Sequence, residues 1–209
     1  LLFFVHLKVR FTYKYVAGAA LVVVVFLRLV PSTLTLFETN QVSISEGKPI
    51  AGSLTHGRRM PFSGKGYYTY SFWGYLMGRT YVHSDVKETL IECFKETAEK
   101  CEGREFVLGE TELKNGGPMG LHKGKQNGLQ VDLLLPLDKE GAPYNSCNIT
   151  HLWFYRTGIE RTNGLKALLK DHKVNFNHLA VELLTLAKVA PKHGLVVSKI
   201  ELHRDIRKE

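Results

Sequence analysis

The feature that most constrains the fold is a single carboxylate, Asp132, inside the apolar run from Leu129 to Leu135. An unpaired ionised carboxylate is costly to bury, so we expect a cation, a metal ion or a set of N–H donors to face Asp132. In an extended strand side chains alternate between faces, so the odd-numbered apolar residues of this run share one face and Asp132 points to the other. The run therefore predicts a buried strand, with Asp132 facing a second layer or a cleft.

The charge of the chain argues against nucleic acid as a partner. The 209 residues carry a formal net charge of +8. The first thirty residues contain four basic and no acidic residues, so the remainder has 24 basic against 20 acidic residues, a net charge of +4. This excess is small, and no zinc-finger spacing, long basic run or interleaving of aromatic and basic residues accompanies it. We therefore predict no nucleic-acid binding.

The N-terminal segment differs from the rest of the chain. Basic residues up to Lys14 precede the apolar block "YVAGAALVVVVFL", a pattern typical of an export signal. Two alternatives are an inner-membrane anchor over residues 15–30 and a buried core helix or strand. We predict a signal peptide or membrane anchor over residues 1–30, a linker over 31–54 and one domain over 55–209.

The remaining patterns indicate an α+β fold. Residues 31–70 are rich in Ser, Thr, Gly and Pro and predict little regular structure. The strongest helix signal lies in "HSDVKETLIECFKETAEKCEG", where Asp85 and Glu88 have the spacing of a capping box. Short strands are expected in "YYTYSFWGYLMGRTYV" and "REFVLGET". A second helix is expected in "NHLAVELLTLAKVAPKHG", followed by a strand in "VVSKIELH".

The cysteines indicate no metal-binding pair. Cys93 and Cys101 are eight residues apart on the first predicted helix, about 12 Å along its axis, which is too far for a disulfide. A bridge between Cys101 and Cys147 is the single pairing that we retain as a hypothesis.

Three segments in the middle of the chain resemble a known family. In order, they are "WGYLMGRTYVHSDV", "FVLGET" and "GGPMGLHKGKQNGLQVDLLLPL". They resemble the penicillin-insensitive murein endopeptidases, zinc peptidases of the lysostaphin, D-Ala-D-Ala metallopeptidase and hedgehog superfamily. The resemblance covers roughly residues 55–205, and its most specific part is the Gly-rich loop, a His, Gln-Asn-Gly-Leu and a strand that carries Asp.

The resemblance implies a fold and a chemistry. The implied fold is a small antiparallel sheet with helices packed on one face, in which residues 129–135 form a central strand and the helices span about 86–101 and 176–192. The implied cofactor is Zn²⁺, with Asp132 as a metal ligand. Zinc would polarise an amide carbonyl and lower the pKa of a bound water toward about 7.

The site departs from the family pattern at one ligand. Lys125 stands seven residues before Asp132, where the family has a metal-binding His, so His122 is the remaining imidazole that could ligate zinc. Tyr81 and His83 match positions near the family's cleft and, with Lys125, are expected to contact substrate. For His83 the alternative is simple packing before the helix. The catalytic His-x-His motif of the family is expected beyond residue 209.

These observations leave two principal hypotheses. The first is an exported, periplasmic or cell-envelope zinc endopeptidase that hydrolyses the D-amino-acid cross-links of peptidoglycan. The second is a metal-free scaffold that binds cell-wall peptides without cutting them, in which Lys125 and Asp132 form a direct ion pair. A membrane-anchored interaction protein that shares only the fold is a third.

Overall fold

The computed structural model describes residues 2–38, 40–119, 124–145 and 172–202. The chain divides into two compact units, Leu1–Glu38 and Thr39–Glu209. Cys147 and His122 lie outside the described residues, so the hypotheses of a disulfide at Cys147 and of a metal ligand at His122 stay predictions. Cys93 and Cys101 are buried, and neither is bonded to another cysteine of the described part of the chain.

The first unit is a single long helix, α1 (Leu2–Leu34), followed by a 3₁₀ turn (Thr35–Phe37). Its apolar side chains between Tyr15 and Phe26 are exposed within this unit. Over the residues that the structure describes, no helix combines the length and the hydropathy needed to cross a membrane.

The second unit alternates short strands and helices, as expected for an α+β protein. Its strands are β1 (Ile44–Lys48), β2 (Ala51–Thr55), β3 (Arg58–Arg59), β4 (Ser63–Gly64), β5 (Tyr67–Thr69), β6 (Tyr81–Val82), β7 (Phe106–Leu108), β8 (Leu133–Leu134), β9 (Leu137–Lys139), β10 (Ala142–Pro143) and β11 (Lys173–Val174). Its helices are α2 (Phe72–Leu76), α3 (Ser84–Lys100) and α4 (Phe176–Val189), with a 3₁₀ turn at Ala190–His193.

The predicted central strand is in fact short and lies at an edge. The largest described sheet has the order β4-β5-β7-β8, so β8, the strand in the run around Asp132, is its edge strand. Residues 129–132 have no regular strand structure. The sheet is mixed rather than antiparallel, because β5 pairs with β7 in parallel while its other pairs are antiparallel.

Helices α3 and α4, which the amphipathic patterns predicted, contact each other. The apolar side of α3, with Val86, Leu90 and Phe94, enters a core that β5 and β7 complete with Tyr67 and Phe106. The Tyr67 and Phe94 rings stack at 4.5 Å between centroids, which fixes the helix against the sheet.

The start of α3 differs from the predicted capping box. His83 is the N-cap, and its Nδ1 accepts a hydrogen bond from the Asp85 backbone N–H at 3.3 Å. Asp85 lies in the first turn, where a carboxylate is favourable beside the positive end of the helix dipole.

Two other local expectations were wrong. Residues 44–55 form the β1–β2 hairpin, although the polar composition of residues 31–70 predicted little regular structure. Residues 195–202, expected as a strand, have no regular secondary structure. Strand propensity alone does not produce a strand, because a strand also requires hydrogen bonds to a neighbouring strand.

Candidate functional site

Lys125 is the buried centre of the site. Its Nζ donates hydrogen bonds to Asp132 Oδ2 and, at 2.9 Å, to the carbonyl oxygen of Glu110. The Lys125 side chain is 5% exposed, whereas that of Asp132 is 49% exposed. The cation is therefore the buried member of the pair, and the carboxylate links it to solvent.

The backbone at Lys125 is unusual for a residue with a side chain. Its φ is +66°, in the left-handed region that residues other than glycine rarely adopt. Such a conformation costs on the order of 1–2 kcal/mol and persists where the surroundings fix it. Here the next residues fix it, because Gln126 N–H donates to Pro49 O at 2.9 Å and Asn127 N–H donates to Glu112 Oε1 at 2.9 Å.

Asp132 is held beside the end of β7 by close backbone contact. The Gly109 N–H donates to the Asp132 carbonyl at 2.7 Å. A Cβ atom added at Gly109 would lie 2.8 Å from Asp132 Cβ, so a side chain there would displace the carboxylate. A cation, which is one of the three kinds of partner that the sequence left open, faces Asp132, whose side chain is half exposed. The expectation that Asp132 faces a second layer or a cleft stays a prediction.

The Gly-rich loop returns to the segment that contains Tyr81 and His83. The His83 N–H donates to Gly128 O at 2.9 Å. Gly128 has a φ of +78°, and a Cβ there would lie 2.7 Å from Leu54 Cδ1 and 2.9 Å from His83 N. Only glycine permits this approach between the loop and the start of α3.

Tyr81 and His83 both have structural partners. The Tyr81 hydroxyl accepts a hydrogen bond from Arg59 Nη2 at 3.2 Å, and the guanidinium of Arg59 lies 4.9 Å from the centre of the Tyr81 ring. The Tyr81 backbone exchanges hydrogen bonds with Glu112. His83 is the cap of α3, so packing at the helix start accounts for it. Substrate contacts for both residues stay predictions.

Two buried acids complete the site, and the sequence interpretation missed them. Glu112 is fully buried, and this burial raises its carboxyl pKa against the opposing effects of Gly128 and Asn127 N–H groups and of the Lys125 charge. Glu110 is also buried and accepts hydrogen bonds from Arg79 Nη1 at 2.7 Å and Tyr70 Oη at 3.2 Å. The sequence "LGETEL" contains a signal for these acids, because Glu110 and Glu112 alternate directly after an apolar strand. Acids in such positions are buried only when other groups pair with them.

The described donor set does not fit zinc. A zinc ligand must be deprotonated, and the Lys125 ammonium occupies the position beside Asp132 with a charge that repels a metal cation. Over the described residues, no group of three or more His, Cys, Asp or Glu side chains could hold a metal ion. Shared ligation by His122 and Asp132 stays a prediction, because His122 lies outside the described part of the chain.

No protein-family model and no curated protein matches this chain. The function of the site therefore rests on the geometry and chemistry of its own residues.

Proposed function

We propose that residues 55–209 form a metal-free domain, similar in fold to the hedgehog and D-Ala-D-Ala metallopeptidase group, that binds peptidoglycan peptides without cleaving them. The observation that carries this proposal is the ion pair between Lys125 Nζ and Asp132 Oδ2. In the resembling enzymes these positions hold the metal through a His and an Asp. Here the ammonium supplies the positive charge that neutralises the carboxylate.

The exposure of the pair supports ligand binding at this edge of the sheet. Asp132 is half exposed and is fixed by Lys125 and by the Gly109 N–H, so its carboxylate is presented in one orientation. A pre-oriented carboxylate accepts hydrogen bonds from ligand ammonium and amide N–H groups with little loss of conformational entropy. Cell-wall peptides carry both types of donor.

The zinc endopeptidase is the second candidate. The observation that favours it is the 49% exposure of the Asp132 side chain, which leaves the carboxylate accessible to an ion from solvent. In that case Zn²⁺ would be the cofactor, Lys125 would leave Asp132, and His122 would supply an imidazole. Export to the periplasm or cell envelope, with an N-terminal signal or an anchor at residues 15–30, is proposed with either candidate.

Elemental analysis of the purified full-length protein tests the choice between the candidates. We expect no stoichiometric zinc in the parent and about one zinc per chain in Lys125→His, because that substitution replaces a repelling cation with a neutral ligand beside Asp132. Lys114→His is a matched control, since it adds an imidazole at an exposed position of the preceding segment. One zinc per parent chain, lost in Asp132→Ala or His122→Ala, would establish the second candidate instead.

Binding of soluble muropeptides tests the peptide partner. We expect the parent to bind them and leave them intact, and Asp132→Asn to bind about 10-fold more weakly or worse, because hydrogen bonds to a charged group contribute roughly 1.5–3 kcal/mol. Glu46→Gln, which neutralises an acid on the exposed strand β1, is the control and is expected to bind like the parent. Cleavage products in the parent reaction, or equal affinity in Asp132→Asn, would contradict the proposal.

A further inference from the structure

A groove of about 420 Å³ lies in the second unit, between its two longer helices and two segments of extended chain. Its walls are α3, α4 and the chain at residues 129–135 and 195–202. The lining is mainly apolar, with Leu90, Val131 and Leu186 as representatives. Both the volume and the composition are those of sites for small ligands, which span roughly 300–1,000 Å³.

One acid in this groove has no visible structural role. Glu182, on α4, lines the groove and is fully buried. Neither of its carboxylate oxygens has a hydrogen-bond partner among the residues that the structure describes. The hydroxyl of Thr89 on α3 lines the same groove, is buried, and also has no partner in that part of the chain. Buried polar side chains nearly always have partners, so these atoms point to a ligand.

Several lysines near the two helices contact groups other than Glu182, and Lys199 of the groove lining pairs with Glu201. Lys100 Nζ donates to Thr185 Oγ1 at 2.9 Å, and Lys188 and Lys192 contact the exposed side of α3 at Glu96. With no compensating cation, burial raises the pKa of the Glu182 carboxyl to about 8. The cost of burying this acid is therefore not offset by an ion pair in the described structure.

We propose that the groove binds an elongated apolar molecule with a primary ammonium group, which donates hydrogen bonds to the Glu182 carboxylate and the Thr89 hydroxyl. An ammonium has three donors and no acceptor, which complements two carboxylate oxygens and one hydroxyl oxygen. The leucine and valine side chains of the groove surround the apolar part of the molecule. An anionic head group would be repelled by Glu182 in its ionised form.

This site is separate from the Lys125–Asp132 pair. Leu129, Val131, Leu133 and Leu135 line the groove, while Asp132 of the same run contacts Lys125 and is absent from the groove lining. The inference therefore does not depend on the proposed function, and a ligand can occupy the groove whether or not the ion pair binds a peptide.

Calorimetric titration of the full chain with decylamine and with decanol tests the proposal. The two probes share an apolar chain and differ in the head group. We expect decylamine to bind the parent at least 10-fold more tightly than decanol, and Glu182→Gln to remove that preference. Leu184→Gln is the matched control, because it changes an exposed position of the same helix and should keep the parent's preference.

A second variant covers the case in which Glu182→Gln does not fold. Val197→Trp adds bulk from a groove-lining segment without regular secondary structure, and should weaken decylamine binding at least 10-fold. Equal affinity of the parent for the two probes, an unchanged preference in a folded Glu182→Gln, or no binding of decylamine to the parent would overturn the proposal.

Discussion

Lys125 and Glu182 are both buried charged residues of the second unit, but they differ in how their polar atoms are satisfied. The Lys125 ammonium contacts a carboxylate and a backbone carbonyl. The Glu182 carboxyl has no hydrogen-bond partner among the described residues. A buried group that is paired fixes local geometry, whereas an unpaired one costs folding free energy and shifts its pKa. The comparison indicates that the Lys125 ammonium is satisfied by its own neighbours, while the Glu182 carboxyl is the group for which we propose a ligand.

The largest expected effect is a dependence of stability on pH that comes from Glu182. Its folded-state pKa, about 8, lies above the ordinary value of 4.5. Its contribution to stability is therefore fully present below the unfolded value and is lost as the pH rises through about 8. We expect the free energy of unfolding of the parent to fall relative to Glu182→Gln between pH 5 and 8, by at most about 1.4 kcal/mol per pH unit.

Urea unfolding of both proteins at several pH values measures this difference. Because the histidines and surface acids are common to the two proteins, their titration cancels in the comparison. A constant difference from pH 5 to pH 8 would show that Glu182 is not a buried, unpaired acid.

The second largest effect is expected near Lys125, from loss of the ion pair between Arg79 and Glu110. Arg79→Met removes the guanidinium that faces the buried Glu110 carboxylate, and we expect a loss of about 3 kcal/mol in unfolding free energy. The double variant Arg79→Met, Glu110→Gln should recover part of that loss, because it also removes the carboxylate charge that Arg79 compensated. Chemical denaturation measures both, and additive losses in the double variant would contradict this coupling.

The third effect is a smaller change in unfolding free energy, and it is a gain rather than a loss, at Glu182 in the groove. Glu182→Leu should raise the unfolding free energy by about 2 kcal/mol at pH 7, because it replaces a buried acid that has no partner in the described part of the chain with an apolar side chain. Glu99→Leu, on the exposed side of α3, is the control and should change stability by less than about 0.5 kcal/mol. Thermal unfolding measures both, and a destabilised Glu182→Leu would indicate that the acid has a structural partner.

The smallest effect is expected at Asp132. Asp132→Asn removes the charge that faces Lys125, but the carboxylate is half exposed and is screened by solvent, so we expect a loss of about 1 kcal/mol. The loss should decrease in 1 M salt if it is electrostatic. A loss above about 3 kcal/mol in thermal or chemical unfolding would show that Asp132 is shielded from solvent. That result would contradict the difference that we draw between the Lys125–Asp132 pair and the buried Glu182.

Much of the local structure was predictable because it depends on residues close together in the sequence. Amphipathic periodicity predicted helices over about 86–101 and 176–192, and the structure has α3 and α4 there. The need for a cation, a metal ion or N–H donors opposite Asp132 also followed from the sequence, since a carboxylate in an apolar run requires compensation, and Lys125 supplies it.

The tertiary structure decided which of these local features are buried, paired or exposed. Within the run around Asp132, Leu133–Leu134 form an edge strand of the largest described sheet, where β7 is their partner among the described strands. Glu182 lies on the buried side of α4, in a groove lined also by α3 and residues 195–202, and has no hydrogen-bond partner among the described residues. Sequence periodicity determines which side of a helix is apolar, but only the packing of distant segments determines whether a charge on that side finds a partner.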